Sequence, residues 1–132
     1  MKKNGSLETG RAILGAFIVA FLLKLFLFDF MIVEGHSMTP ALKPGSVLFV
    51  DKLAYGLRLP WSNTYLFWWS QPRQGDIVVF YTPSGEMAVK RCAELTGRHR
   101  FIALGDNSLQ SYDSRAYGPI PVHNIIGKVL GM

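Results

Sequence analysis

Three stretches of the chain carry side chains suited to covalent chemistry. Ser37 lies in Gly35-His36-Ser37-Met38-Thr39-Pro40-Ala41-Leu42, between an apolar entry at Phe30 to Val33 and a loop punctuated by Pro40, Pro44 and Gly45. Lys90 lies in Ala88-Val89-Lys90-Arg91, within an alternating run. Gly105 to Arg115 is a dense polar loop containing Asp106, Asn107, Ser108, Ser111, Asp113 and Ser114. A serine hydroxyl is a poor nucleophile until a base takes its proton. Lysine serves only when neutral, and at its ordinary pKa roughly one lysine in 2,000 is neutral at pH 7. Burial against apolar side chains lowers that pKa, because desolvation penalises the ammonium. Met87, Ala88, Val89 and Cys92 around Lys90 make such a site feasible. Strand parity does not decide it, since an outward Lys90 fits the pattern equally well.

The other bases and ligands are less well supported. His36 adjoins Ser37 in sequence and should point elsewhere, His99 sits between Arg98 and Arg100, and His123 follows Pro121 at a short distance. A Ser-His-Asp triad is defined by geometry, so sequence leaves it open. In the polar loop, Asp113 and Arg115 can pair, and Ser111 or Ser114 can orient a lysine amine; the plainer reading is a surface turn with capping residues. Cys92 is the only cysteine, which excludes an intrachain disulfide and any Cys-based metal spacing. The histidines show no ligand spacing, so neither a metal nor a cofactor is expected. The net charge is +5, but the lysines and arginines are scattered rather than clustered. Nucleic acid is therefore a poorer partner than anionic lipid.

The lipid reading comes from the segment ahead of Ser37. Ala12 to Phe28 reads AILGAFIVAFLLKLFLF, and apolar character resumes at Phe30 to Val33. A spanning helix needs about 20 residues to cross roughly 30 Å. Lys24 costs about 2.5–3.5 kcal/mol at a helix centre, and twelve Leu, Ile, Phe and Val residues offset it at about 0.3–0.6 kcal/mol each. Lys24 also lies towards the C-terminal end, where its stem can snorkel. Lys2, Lys3 and Arg11 precede the segment, which puts the N-terminus in the cytoplasm. A cleaved signal peptide is the alternative, but the apolar stretch is long and Val33-Glu34-Gly35 is a poor cleavage site. The expected organisation is residues 1–11 in the cytoplasm, 12–32 as a transmembrane anchor, and 33–132 as one extracytoplasmic domain.

After the anchor the pattern is β. Short strands are expected at Ser46–Lys52, Asp76–Tyr81, Glu86–Leu95, Phe101–Leu104 and Ile125–Leu130, with Pro83-Ser84-Gly85 as a hairpin turn. The fold class is thus mainly β, a small antiparallel sheet or partly open barrel behind one N-terminal helix. Trp61-Ser62-Asn63-Thr64-Tyr65-Leu66-Phe67-Trp68-Trp69 interrupts the strands and holds all three tryptophans. Such rings favour a membrane interface, with a core cluster as the alternative.

These features together resemble the type I signal peptidases, membrane-anchored Ser-Lys peptidases. The similar segments are the anchor, Gly35–Pro40, the strand Gly45–Lys52, Arg73–Phe80 with Val89-Lys90-Arg91, and Gly105-Asp106-Asn107 through Asp113-Ser114-Arg115. The resemblance implies Ser37 as nucleophile and Lys90 as general base. It implies Ser111 as the hydroxyl that orients the base, and Asp113 with Arg115 as a supporting pair. Gly35, Ser37 and Met38 would flank the oxyanion and the substrate. The implied substrates are exported preproteins, cut after small residues at the −1 and −3 positions and bound as an extended strand. The implied location is a bacterial-type cytoplasmic membrane, single-pass.

The chain departs from the family pattern in places. Gly35 stands where some members have serine, which leaves backbone amides for the oxyanion. Ala41 and Cys92 replace a common threonine and a common aliphatic residue. Only fourteen residues separate Lys90 from Gly105, where larger members insert a second β domain. Three other readings compete: a maturation peptidase dedicated to one substrate such as a pilin-like protein, a catalytically silent β module that binds exported chains, and a self-cleaving Ser-Lys repressor. The last lacks a helix-turn-helix pattern here.

Overall fold

The computed structural model describes residues 3–131. Helix α1, Lys3–Phe26, is followed by strands β1 (Phe28–Ile32), β2 (Val47–Asp51), β3 (Gly56–Arg58), β4 (Tyr65–Trp68), β5 (Ile77–Tyr81), β6 (Met87–Thr96) and β7 (Arg100–Leu104). A one-turn helix α2 (Ser114–Tyr117), a short β8 (Ile120–Pro121), a 3-10 turn and β9 (Ile125–Gly131) complete the chain. Seven strands form one curled antiparallel sheet in the order β1-β2-β9-β5-β6-β7-β8, and β3 and β4 form a separate ribbon.

The apolar segment expected to run as one anchor over 12–32 divides instead. The helix already includes residues 3–11 and stops at Phe26, and Phe28–Ile32 is an edge strand paired with β2. Asp29 puts a charge into the stretch, and side chains alternate between exposed and half-buried beyond it. The orphan carbonyls of the last helical turn find donors from the exit of β2: Lys52 Nζ donates to Leu25 O (3.0 Å) and Lys52 N–H to Leu27 O (2.8 Å). The 23 residues Asn4–Phe26 are long and apolar enough to cross a membrane. At 1.5 Å per residue they reach about 35 Å.

The β5–β6 hairpin has the expected turn, with Tyr81 opposite Met87 and Val78 opposite Lys90. Period-2 alternation in β5 sends its side chains to two cores. Val78 and Phe80 join Tyr55, Cys92, Phe101, Ala103, Ile120, Val122 and Ile125. Val79 joins Val33, Met38, Leu42, Leu48, Val50 and Ile126 on the other face. That second core positions the Ser37 loop, because Met38 and Leu42 are buried in it to 2% and 3% exposure. Each such burial stabilises by about 1.5–3 kcal/mol, and two fall within one short loop.

The aromatic stretch, not expected to be regular, supplies β4 of the two-stranded ribbon. Gly56 permits this pairing, since a Cβ there would lie 2.2 Å from Phe67 O. The ribbon is tied to the body by Tyr65 Oη, which donates to Ile125 O (2.6 Å), and by Trp69 Nε1, which donates to Leu53 O (2.9 Å).

Candidate active site

Ser37 and Lys90 meet, although 53 positions separate them in sequence. Lys90 Nζ donates to Ser37 Oγ over 2.7 Å. Lys90 has the inward parity of buried Cys92 and is itself only 6% exposed. This settles the parity question left open by the sequence. Burial lowers the Lys90 pKa below the usual lysine range, and the charge of Asp113 opposes that shift in part. The lysine is thus displaced towards the neutral form that a base requires.

The Ser37 loop is fixed from both ends. Val33 N–H donates to Ser46 O and Gly45 N–H to Val33 O, each over 2.9 Å, which closes the loop as a stirrup. Gly35, with φ +79°, makes the turn into it in a region that side chains disfavour. Asn107 holds its far side: its N–H donates to Ser37 O (2.9 Å) and its Nδ2 to His36 O (3.1 Å). Among the described residues, neither the Ser37 nor the Met38 N–H has a hydrogen-bond partner. Those two amides beside the hydroxyl remain available to an incoming oxygen.

The polar loop after β7 is a scaffold built on Asp113, whose side chain is buried. Asp113 Oδ2 accepts from Gly105 N–H (2.9 Å), Ser111 Oγ (2.7 Å) and Arg115 Nη2 (2.6 Å). Asp113 Oδ1 accepts from Arg115 N–H and Nε, and so caps α2. Burial alone would raise this carboxyl, but the hydrogen bonds from Arg115, Gly105 and Ser111 outweigh it and hold the group well below the carboxylate range. Ser114 Oγ accepts from Ala103 N–H (2.9 Å), which fastens the loop to β7.

Ser111 therefore spends its hydroxyl proton on Asp113, and the side-chain hydrogen bond of Lys90 goes to Ser37. Ser111 also packs against Gly105, where a Cβ would lie 2.0 Å from Ser111 Oγ and 2.7 Å from Ser37 O. His99 and His123 line a separate cavity, and His36 enters this cluster through its backbone carbonyl, which accepts from Asn107 Nδ2.

Three further contributors stand in segments that the sequence singled out, without a role assigned to them there. Arg91 Nε and Nη2 bind both oxygens of Asp106 (2.9 and 2.7 Å), and Arg91 Nη1 donates to Gly75 O. Asn107 clamps the Ser37 loop as described. Asp76 accepts from Tyr55 Oη (2.8 Å) and Arg73 N–H (3.0 Å) and pairs with Lys128 (3.2 Å), bracing the start of β5. The density of Asp and Asn in Gly105–Arg115 signalled order there, but not which strand the loop would grip.

A groove of about 510 Å³ leads to Ser37. One wall is Met31 to Glu34, and the other is Glu86 to Lys90. Strand β6 pairs with β5 over Met87–Arg91 but with β7 only from Arg91 onward. The Met87–Lys90 backbone therefore presents an open edge to the groove, beside the serine.

A family model described as signal peptidase, peptidase S26, matches residues 6–99 and 98–131, from the helix through the Ser37 loop and β6 to the end of β9. The chain belongs to the signal peptidase family. Signal peptidase I of Bacillus caldolyticus is 28% identical over 157 aligned residues, covering 81% of this chain and 80% of that protein. Signal peptidase I of Haemophilus influenzae is 35% identical over 110 residues, 83% of this chain but 30% of the relative. The Buchnera aphidicola (Baizongia pistaciae) enzyme of the same name is 32% identical over 98 residues, 73% of this chain and 32% of the relative. The chain thus spans about a third of the length of the last two and most of the length of the first. Within the signal peptidase family the short connection from Lys90 to Gly105 is here a plain hairpin, β6 turning directly into β7.

Proposed function

We propose that this family member is a membrane-bound serine endopeptidase that removes signal peptides from exported preproteins, with Ser37 as nucleophile and Lys90 as general base. The observation that carries the reading is the 2.7 Å contact between Lys90 Nζ and Ser37 Oγ, at a buried lysine beside an open strand edge. The preprotein lies in the groove as an extended strand, pairing with the Met87–Lys90 edge. Val33, Met38 and Val89 shape an apolar surface next to Ser37, suited to small side chains.

Neutral Lys90 takes the Ser37 proton as Oγ attacks the scissile carbonyl carbon. The carbonyl oxygen becomes an oxyanion and receives the N–H of Ser37, with Met38 N–H adjacent. The C–N bond then breaks, and the Lys90 ammonium returns its proton to the leaving amine. An acyl-serine remains. Water attacks it while Lys90 again acts as base, releasing the signal peptide with a new carboxylate and restoring the hydroxyl. Asp113, Ser111 and Arg115 act on this sequence as positioning residues.

Cleavage of a purified preprotein by the full chain in detergent tests the reading. Ser37→Ala and Lys90→Ala should each lose activity by about 10³-fold or more, the scale seen when a nucleophile or base is removed. Lys90→Arg should not restore it, because arginine keeps its proton. Substantial turnover by Lys90→Arg would reduce Lys90 to a fixed charge and reopen the search for a base.

A further inference from the structure

The β3–β4 ribbon carries more uncovered aromatic surface than a soluble protein keeps without reason. Trp61, Phe67 and Trp69 are exposed by 74%, 65% and 56%, and Trp68 stacks on Tyr65 with centroids 4.0 Å apart. The two strands pair only with each other, so the rings stand on a ridge outside the main sheet. None of them belongs to the groove at Ser37.

Three observations say what covers this ridge. First, it is rooted where α1 ends. Trp69 Nε1 donates to Leu53 O, and the neighbouring Lys52 gives its N–H to Leu27 O and its Nζ to Leu25 O. The aromatic ridge is thus tied through two adjacent residues to the last turn of the helix long enough to span a bilayer. Second, its rim is basic. The β6–β7 turn presents exposed Arg98, His99 and Arg100, and among the described residues neither arginine is in an ion pair. Third, a cavity of about 730 Å³ lies between ridge and turn, lined by Trp68, Trp69, Gln71, His99, Val122 and His123, with no acidic residue among its lining. Trp68 and Trp69 share this cavity with His99, which Arg98 and Arg100 flank in sequence, and indole rings suit the level of lipid headgroups, where one end of the ring is apolar and the other wet. Exposed cations near an anionic lipid surface are drawn to it.

We infer that the β3–β4 ribbon and the β6–β7 turn form a second membrane contact, in which the rings enter the interface and Arg98 and Arg100 meet anionic phospholipid headgroups. The inference rests on the reading of α1 as a membrane span and is independent of the chemistry at Ser37. Its consequence for the proposed reaction is geometric: anchor and ridge together fix the catalytic domain's tilt against the bilayer from which a preprotein emerges.

All three tryptophans of the chain lie in this segment, so the emission of the intact protein reports on the ridge alone. The full chain is reconstituted into phosphatidylcholine vesicles with or without phosphatidylglycerol, containing lipids brominated at shallow acyl positions. Shallow bromine should lower tryptophan emission about twofold, more in the anionic vesicles. Arg98→Glu with Arg100→Glu should remove the anionic excess. The Ser37→Ala chain should be quenched like wild type.

A chain that floats with the vesicles yet shows no bromine quenching overturns the second contact. Equal quenching in neutral and anionic vesicles overturns the headgroup pairing and with it the proposal as stated. Emission that responds to an added signal peptide, or to protein concentration in detergent, and not to lipid, gives the ridge to an exported chain or a second copy and also overturns it. A chain that fails to float refutes the membrane span itself. Quenching with no preprotein cleavage strikes the proposed function and leaves the contact standing.

Discussion

Lys90 is pulled in two directions, and its balance is measurable. Burial lowers its pKa, and the nearby Asp113 carboxylate raises it again in part. Activity that needs neutral Lys90 rises with pH through the folded-state pKa, so the ascending limb of kcat/KM should lie below the 10.5 of a free lysine. Removing the opposing charge with Asp113→Asn should lower the Lys90 pKa further and move that limb to more acidic pH. A loosened loop alone would reduce the rate without moving the limb in that direction. A limb that stays in place, or moves to higher pH, would show that Asp113 does not act on the base through its charge. The sequence indicated Ser37, Lys90 and Asp113 by resemblance, but could not say which way Lys90 points. Alternation assigns two residues to opposite faces without naming the inner one. What decides it is the register of Val78 opposite Lys90, a contact between two strands that no local pattern contains.

At the scale of elements, the site is a junction between the end of β7 and the Ser37 loop. Gly105 is where they touch, and its φ is not in the left-handed region, so the need for glycine there is one of space. A methyl group would meet Ser111 Oγ and the Ser37 carbonyl at distances no real Cβ accepts. Gly105→Ala should cost about 1–3 kcal/mol of stability through overpacking. It should also displace Ser37, and since small misplacements at a reacting centre are expensive, kcat should fall about 10²-fold with the protein still folded in detergent. Wild-type kcat in that variant would mean that the loop gives way without disturbing the serine. The five expected strands were legible because four are short runs rich in apolar residues and Glu86–Leu95 alternates, each with Gly or Pro next to at least one end. The β3–β4 ribbon was not, since Tyr65-Leu66-Phe67-Trp68 lacks alternation and its exposed rings carry no core signal. The end of α1 was equally hidden, because Phe28 to Ile32 is as apolar as a helix and only Asp29 and the pairing with β2 turn it into a strand.

At the scale of the whole molecule, the main sheet follows α1, and on the proposed reading the side of the bilayer it occupies decides whether exported chains can reach Ser37. Lys2, Lys3 and Arg11 lie within the first eleven positions of the sequence, and Lys24 lies in the last turn of α1. A lone lysine there snorkels and does not reverse the bias of three basic residues at the other end. The N-terminus should therefore stay in the cytoplasm and residues 33–132 should be extracytoplasmic. A tag on each terminus makes this visible. In intact spheroplasts, added protease should destroy the C-terminal tag and spare the N-terminal one, and detergent should expose both. The sheet carries few long loops, so digestion is followed over time, with a cytoplasmic marker protein as the control for lysis. If the C-terminal tag survives until detergent is added, the open edge of β6 faces the cytoplasm, where preproteins have not yet crossed. The groove beside Ser37 would then need a different substrate.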